Sequence, residues 1–128
     1  MGKQELNRVR KIVLEFPEVN ERLSHGAICF FIQNKTPVCY FHDNHRSDNR
    51  ISIWCPAFAD VQEDLTHFQP KQFFKPETGA GGQFEGWIGT YLDTTDENGV
   101  DWKQIRRVLE LAYKKVAPKR LIAEMERE

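Results

Sequence analysis

The stretch Ala27–Cys55, AICFFIQNKTPVCYFHDNHRSDNRISIWC, decides the fold of this chain. Three runs rich in β-branched and aromatic residues, AICFFIQ, VCYFH and RISIWC, are separated by the short polar breaks NKTP and DNHRSDN. Such residues suit the pleated, half-buried surface of a strand, and Asn, Asp, Ser and Pro favour turns. In the third run Ile51, Ile53 and Cys55 alternate with Ser52 and Trp54, the two-residue period of a strand with two faces. Pro37 lacks an amide donor, which places it at the start of the second strand or on an edge. The stretch therefore predicts a meander of three strands.

Helical periodicity flanks this meander. Leu6, Val9, Ile12, Val13 and Phe16 share one face over residues 3–16, and Pro17 stops that helix. The segment PEVNERLSHG is polar and reads as a connection that Gly26 ends with a turn. After the meander, Pro56 opens a helix in which Phe58, Val61, Leu65 and Phe68 recur at spacings of three and four as far as Pro70. QFFKP and WIGTYL read as two more strands. Beyond the loop DTTDENG, Asp101 as N-cap with Gln104 three residues on, and Val100 placed to staple onto Ile105, form a capping box. Trp102, Ile105, Leu109, Ala112, Tyr113 and Val116 line one face of that helix, Pro118 breaks it, and 122–128 reads as a frayed helical tail.

The expected fold class is α+β: a single two-layer domain over residues 1–128, in the order α-β-β-β-α-β-β-α, with a mainly antiparallel five-stranded sheet and helices packed on one side. The other side of the sheet is left open between solvation, cover by the tail, and a binding surface.

The chain has 128 residues, 40% of them hydrophobic, with nine Phe and three Trp, enough apolar surface for one core. Its net charge is −1, far from that of a strongly basic nucleic-acid binder, but the charge is polarised. Six acidic residues and no Lys or Arg fall between Glu77 and Asp101, whereas seven basic residues against Glu110 alone fall between Trp102 and Arg120. Cys29, Cys39 and Cys55 lie in apolar runs without a C-x-x-C pair and read as buried, reduced thiols. No membrane-length apolar run or secretory leader pattern is seen, so a cytoplasmic monomer without membrane association is expected.

Five of the eight glycines fall in Gly79–Leu92, GAGGQFEGWIGTYL. This stretch is either a binding loop or a mobile connection to a strand. It is not a nucleotide-phosphate loop. A G-x-G-x-x-G beginning at Gly79 meets Phe84 at its sixth position, and Trp87 follows Gly86 where a phosphate loop requires Lys. His42, Asp43, His45 and Asp48 crowd one turn and are of metal-binding type, but exposed turns prefer such residues and no further ligand stands at motif spacing. Pairing a cysteine with His25 or His67 has no activating helix terminus nearby in sequence. No catalytic motif, metal or cofactor is expected, and the chain does not read as an enzyme.

SHG at 24–26, the hairpin with Lys35 in its turn and Phe41 in its second strand, Trp54-Cys55, GWIG at 86–89, Leu92-Asp93, Asp101-Trp102 and APKRL at 117–121 together resemble the YjbR/MmcQ-like family of bacterial proteins. The resemblance runs nearly the whole chain in order, and this chain departs from it in the longer loop GAGGQFE. It implies the element order given above and a noncatalytic DNA-binding role through a double-wing motif, a curved sheet astride the duplex. The expected contacts are Lys35, Arg46 and Arg50 in the hairpin turns, Trp54 and Trp87 on the sheet, and Lys119 with Arg120 beyond the last long helix, the cations on phosphate and the tryptophans stacking. The alternative is a module that binds a protein or small molecule with the glycine loop and sheet face, without nucleic acid.

Overall fold

The structure, a computed structural model, describes residues 2–94 and 99–127. Six strands pair antiparallel throughout, in the order β1-β2-β3-β4-β6-β5. In chain order the elements are α1 (Lys3–Val13), β1 (Val19–Ser24), β2 (Ala27–Ile32), β3 (Thr36–Asp43), β4 (Ile51–Cys55), α2 (Ala59–Phe68), β5 (Phe73–Phe74), β6 (Ile88–Tyr91), α3 (Trp102–Val116) and α4 (Lys119–Glu126). The α+β class and the antiparallel sheet are as expected, and the meander is β2-β3-β4. Four residues of the expected DTTDENG loop, 95–98, lie outside the described residues.

The sheet has six strands rather than five because VNERLS, expected as a connection, is β1. It pairs with all of β2 through a turn at His25 and Gly26, both at positive φ. The strand gives no apolar alternation because it is an edge. On one side Glu21 holds Arg10 of α1 in a two-point ion pair, at 2.7 and 2.8 Å, and Leu23 is exposed. On the other, the Arg22 guanidinium lies 3.8 Å over the Phe31 ring. Pro37 sits near the start of β3, opposite Phe31, where the β2-β3 register shifts.

Alternation then sends side chains to two different cores. Phe30, Ile32, Cys39, Phe41, Ile51, Ile53, Cys55, Phe73 and Ile88 face α1 and α3, meeting Val9, Val13, Ile105, Leu109, Ala112 and Tyr113. Asp101 caps α3 as expected, its carboxylate accepting from the amides of Lys103 and Gln104. Tyr113 donates a buried hydrogen bond to the Pro17 carbonyl at 2.7 Å, fixing the chain just after α1. Past Pro118 the chain turns into α4, which runs to Glu126 with Leu121 fully buried and Met125 against the core. α2 forms where its periodicity predicts, but it buries no residue fully, and Phe68 is 74% exposed.

The opposite sheet face carries a second cluster of Cys29, Phe31, Tyr40 and Trp54. Neither the tail nor solvent covers its centre. The glycine-rich loop does, laying Phe84 and Trp87 against Tyr40 and Trp54. Gly79, Gly82 and Gly86 adopt φ of 81°, 74° and 81°, which lets so short a loop fold back on the sheet.

Candidate functional site

Under one end of this loop lies a cavity of about 250 Å³. Its floor is the second sheet face, with Tyr40 and His42 from β3 and Trp54 from β4. One wall is the hairpin end Ser24, His25 and Ala27, another is His45 and Arg46 from the β3-β4 turn, and the lid is Glu77, Gly79, Ala80, Gln83 and Phe84.

The aromatic side chains pack on one another. The His42 ring lies 4.4 Å from both His45 and Trp54 and stacks beside Tyr40 at 6.2 Å, while His45 meets Trp54 edge-on at 5.0 Å. Phe84 presents its edge to Tyr40 at 5.5 Å. Two hydroxyls, Ser24 Oγ and Tyr40 Oη, are hydrogen-bonded at 3.1 Å on the hairpin side. On the lid side one carboxylate spans two partners: Glu77 Oε1 lies 2.9 Å from His45 Nε2, and Oε2 lies 2.9 Å from Arg46 Nη1.

The β3-β4 turn is held in an uncommon conformation. Asn44, Arg46, Ser47 and Asn49 all have positive φ, which costs an L-residue about 1 kcal/mol each. Side-chain hydrogen bonds compensate: the Asn49 amide donates to Asn44 Oδ1 at 2.7 Å and the Arg50 amide to Asp48 Oδ1 at 2.9 Å. This geometry carries His45 and Arg46 to the cavity rim.

Burial, then the neighbouring His45, pushes the His42 pKa down to about 4, so the ring is neutral at physiological pH. Its Nε2 is buried without a hydrogen-bond partner among the described residues. The hydrogen bond to His45 holds the Glu77 carboxyl below its ordinary value against desolvation, with a smaller contribution from the charge of Arg46. Burial raises the Tyr40 phenol, and raises the Cys29 and Cys55 thiols to about 12 and Cys39 well above its usual range. Such thiols are protonated and unreactive. Among the described residues no group of three or more His, Cys, Asp or Glu is arranged to hold a metal ion, the His42–Asp48 turn included.

The seven expected contact residues do not form one surface: Lys119 is exposed at the start of α4, and the others are spread over the sheet and its two ends. Lys35 is in the β2-β3 turn, at the sheet end where Arg120 pairs with Glu18 at 3.2 Å and Gln33 donates to the same Glu18. Arg46 and Arg50 lie at the opposite end of β3, a strand of eight residues, roughly 25 Å away at ~3.3 Å per residue. Arg46 is bound to Glu77, and Arg50 pairs with Asp93 at 3.0 Å while lying 3.7 Å over the Tyr91 ring. Trp54 is 5% exposed and part of the second core, so it has no free face for stacking in this conformation. Trp87 is half-buried against Phe84 and Tyr40, and its carbonyl accepts from Gln62 of α2. Only Arg46 and Trp54 of the seven line the cavity.

Tyr40, Glu77, Gln83 and Phe84 escaped the sequence reading. The strand alternation held a signal, since Tyr40 and His42 share one parity of β3 and Cys39 and Phe41 the other. Nothing local in sequence signals that Phe84 would cross to them.

Comparison with known proteins supplies one likeness. No family model matches the chain, and no curated protein matches it. The fold is shared with Deinococcus radiodurans protein DR2400. The crystal structure of that protein, a DUF419 domain, superposes with a TM-score of 0.66 at 13% sequence identity, covering 94% of this chain and 87% of that one. At that identity the likeness establishes the α+β architecture and nothing about a ligand.

Proposed function

We propose that this protein is a noncatalytic binding module whose site is the cavity between the glycine-rich loop and the second sheet face. One observation carries the reading: a half-open recess of about 250 Å³ whose floor is aromatic and whose lid contributes Phe84, while Ser24, Arg46, Glu77 and Gln83 place polar groups at its edge. That combination of an aromatic floor and convergent polar groups is the general character of small-molecule sites. The size suits a ligand smaller than a typical drug, since drug-sized ligands occupy roughly 300 to 1,000 Å³. A thermal-shift screen against metabolites, followed by NMR mapping of each hit, tests it. Hits that perturb Tyr40, Trp54 and Phe84 support the reading, and an empty screen or hits mapping elsewhere reject it.

DNA binding is the second reading. It is supported by the resemblance to YjbR/MmcQ-like proteins, to which DUF419 is related, and by the gathering of Lys35 and Arg120 at one sheet end. Against it, Arg46, Arg50 and Arg120 already face carboxylates. Titration of labelled duplex and single-stranded DNA at low salt decides: binding at tens of micromolar or tighter that weakens steeply with salt supports this reading, and no binding in that range rejects it.

A further inference from the structure

The carboxylate of Glu77 stands where the acid group of a ligand would stand. Its two oxygens are divided between His45 Nε2 and Arg46 Nη1, each at 2.9 Å, and both partners belong to the turn that four left-handed residues hold at the rim. Among the described residues that line the cavity, Glu77 is the one carboxylate. It is also 39% exposed and comes from the loop side, so it can swing into water without leaving a buried charge. An exposed ion pair of this kind contributes little, on the order of a fivefold bias at most. The space behind it is bounded by Tyr40, Trp54 and Phe84; Tyr40 and Trp54 are almost fully covered, and the half-buried Phe84 of the loop is the ring with surface to share and the one that would shift to admit a ligand. About 250 Å³ admits one ring system with a short substituent.

We propose that the cavity takes a planar aromatic carboxylate, whose ring packs under Phe84 against the edges of Tyr40 and Trp54 and whose acid group replaces Glu77 on Arg46 and His45. The proposal rests on the reading of the cavity as a ligand site and adds the ligand's chemical class and the internal competitor it displaces. The incoming acid recovers the contacts that Glu77 gives up, and burial of its ring adds to them. A neutral analogue of the same shape gains only the ring contacts.

The test uses benzoate and indole-3-carboxylate beside benzamide and indole-3-carboxamide, titrated into the full chain and read from the NMR signals of Trp54 and Phe84. The expected result is that each acid binds about twofold to threefold more tightly than its amide, because the roughly tenfold gain of one charge-assisted contact is offset in part by the displacement of Glu77. Glu77→Gln is expected to tighten acid binding by about threefold to fivefold with little change for the amides, because the competing charge is gone. Arg46→Gln is expected to erase the preference for acid over amide. Equal binding of acid and amide, or weaker acid binding by Glu77→Gln, overturns the proposal while leaving the cavity a ligand site. If neither acid perturbs these signals the proposal also fails, and the metabolite screen then shows separately whether the cavity binds anything. Should Arg46→Gln not fold, the acid and amide pairs on the unaltered protein and on Glu77→Gln still decide.

Discussion

The ring of Phe84 stands edge-on to that of Trp54, their centroids 5.3 Å apart and their planes at 80°. These residues are thirty positions apart in sequence, and their contact turns a glycine-rich loop into the cover of a second core. Phe84→Ala is expected to destabilise the fold by about 1 to 2 kcal/mol, below the full cost of a buried Phe because the ring is half-buried. Urea denaturation checks the stability, and acrylamide quenching is expected to show greater access to Trp54. Unchanged quenching would mean that the loop does not shield the sheet face in solution.

Gly89 offers a test of the sheet edge. A Cβ at this position would overlap the Phe74 ring, which lies across the β6 backbone and packs on Tyr91 with centroids 4.5 Å apart. Gly89→Ala is expected to cost about 1 to 3 kcal/mol through overpacking. A lowered Tm, with exchange protection lost first around β5, is the signature.

Tyr113 ties α3 to the end of α1. Its hydroxyl donates to the Pro17 carbonyl at 2.7 Å, and its ring lies 5.3 Å from Phe16. Tyr113→Phe removes the donor and keeps the packing, so a loss of about 1 to 2 kcal/mol in chemical denaturation is expected from the carbonyl left unpaired.

Stability should fall as the solution is acidified from neutral pH, and His42 is one cause. Its pKa is about 4 in the folded chain against an ordinary 6.5. Above about 6.5 the ring is neutral in both states and nothing is lost. As pH falls from about 6.5 toward 4 the unfolded chain takes up a proton that the folded chain refuses, so unfolding gains, and the loss levels off below about 4. The ring retains some solvent contact, so the loss is about 1 to 2 kcal/mol rather than the full value implied by the two pKa values. His45, Asp48 and Glu77 act on the same ring, the first lowering its pKa and the carboxylates raising it. His42→Phe is expected to flatten the pH 4 to 6.5 portion of the stability profile relative to the unaltered chain, and an unchanged slope would contradict this.

Much of the architecture is determined locally and was therefore legible in the sequence. Asp101 caps α3 because its own carboxylate reaches amides two and three residues away. Pro118 separates α3 from α4 because proline lacks the amide a helix interior needs, whereas α1 ends at Val13, ahead of the expected stop at Pro17. Ile51, Ile53 and Cys55 face the helices because side chains alternate along any strand. β1 was not legible, since an edge strand that pairs Glu21 with Arg10 and exposes Leu23 carries no apolar alternation. The capacity of α2 to leave Phe68 exposed was equally hidden, because periodicity records which residues share a face but not whether anything covers it.

The sequence by itself thus determined the α+β class, the capped start of α3 and its break at Pro118, and the meander that divides the strands into two faces. Only the tertiary structure decided what occupies the second face. Tyr40, Trp54, Glu77 and Phe84 come together through contacts between distant segments, and residues near a contact in sequence do not specify its partner. The same separation decided the cations: Arg46 and Arg50 look alike in the turn sequence, yet one lies on Glu77 at a cavity rim and the other on Asp93 and Tyr91. A side chain's charge belongs to its sequence, whereas the carboxylate it faces is set by how the chain folds back.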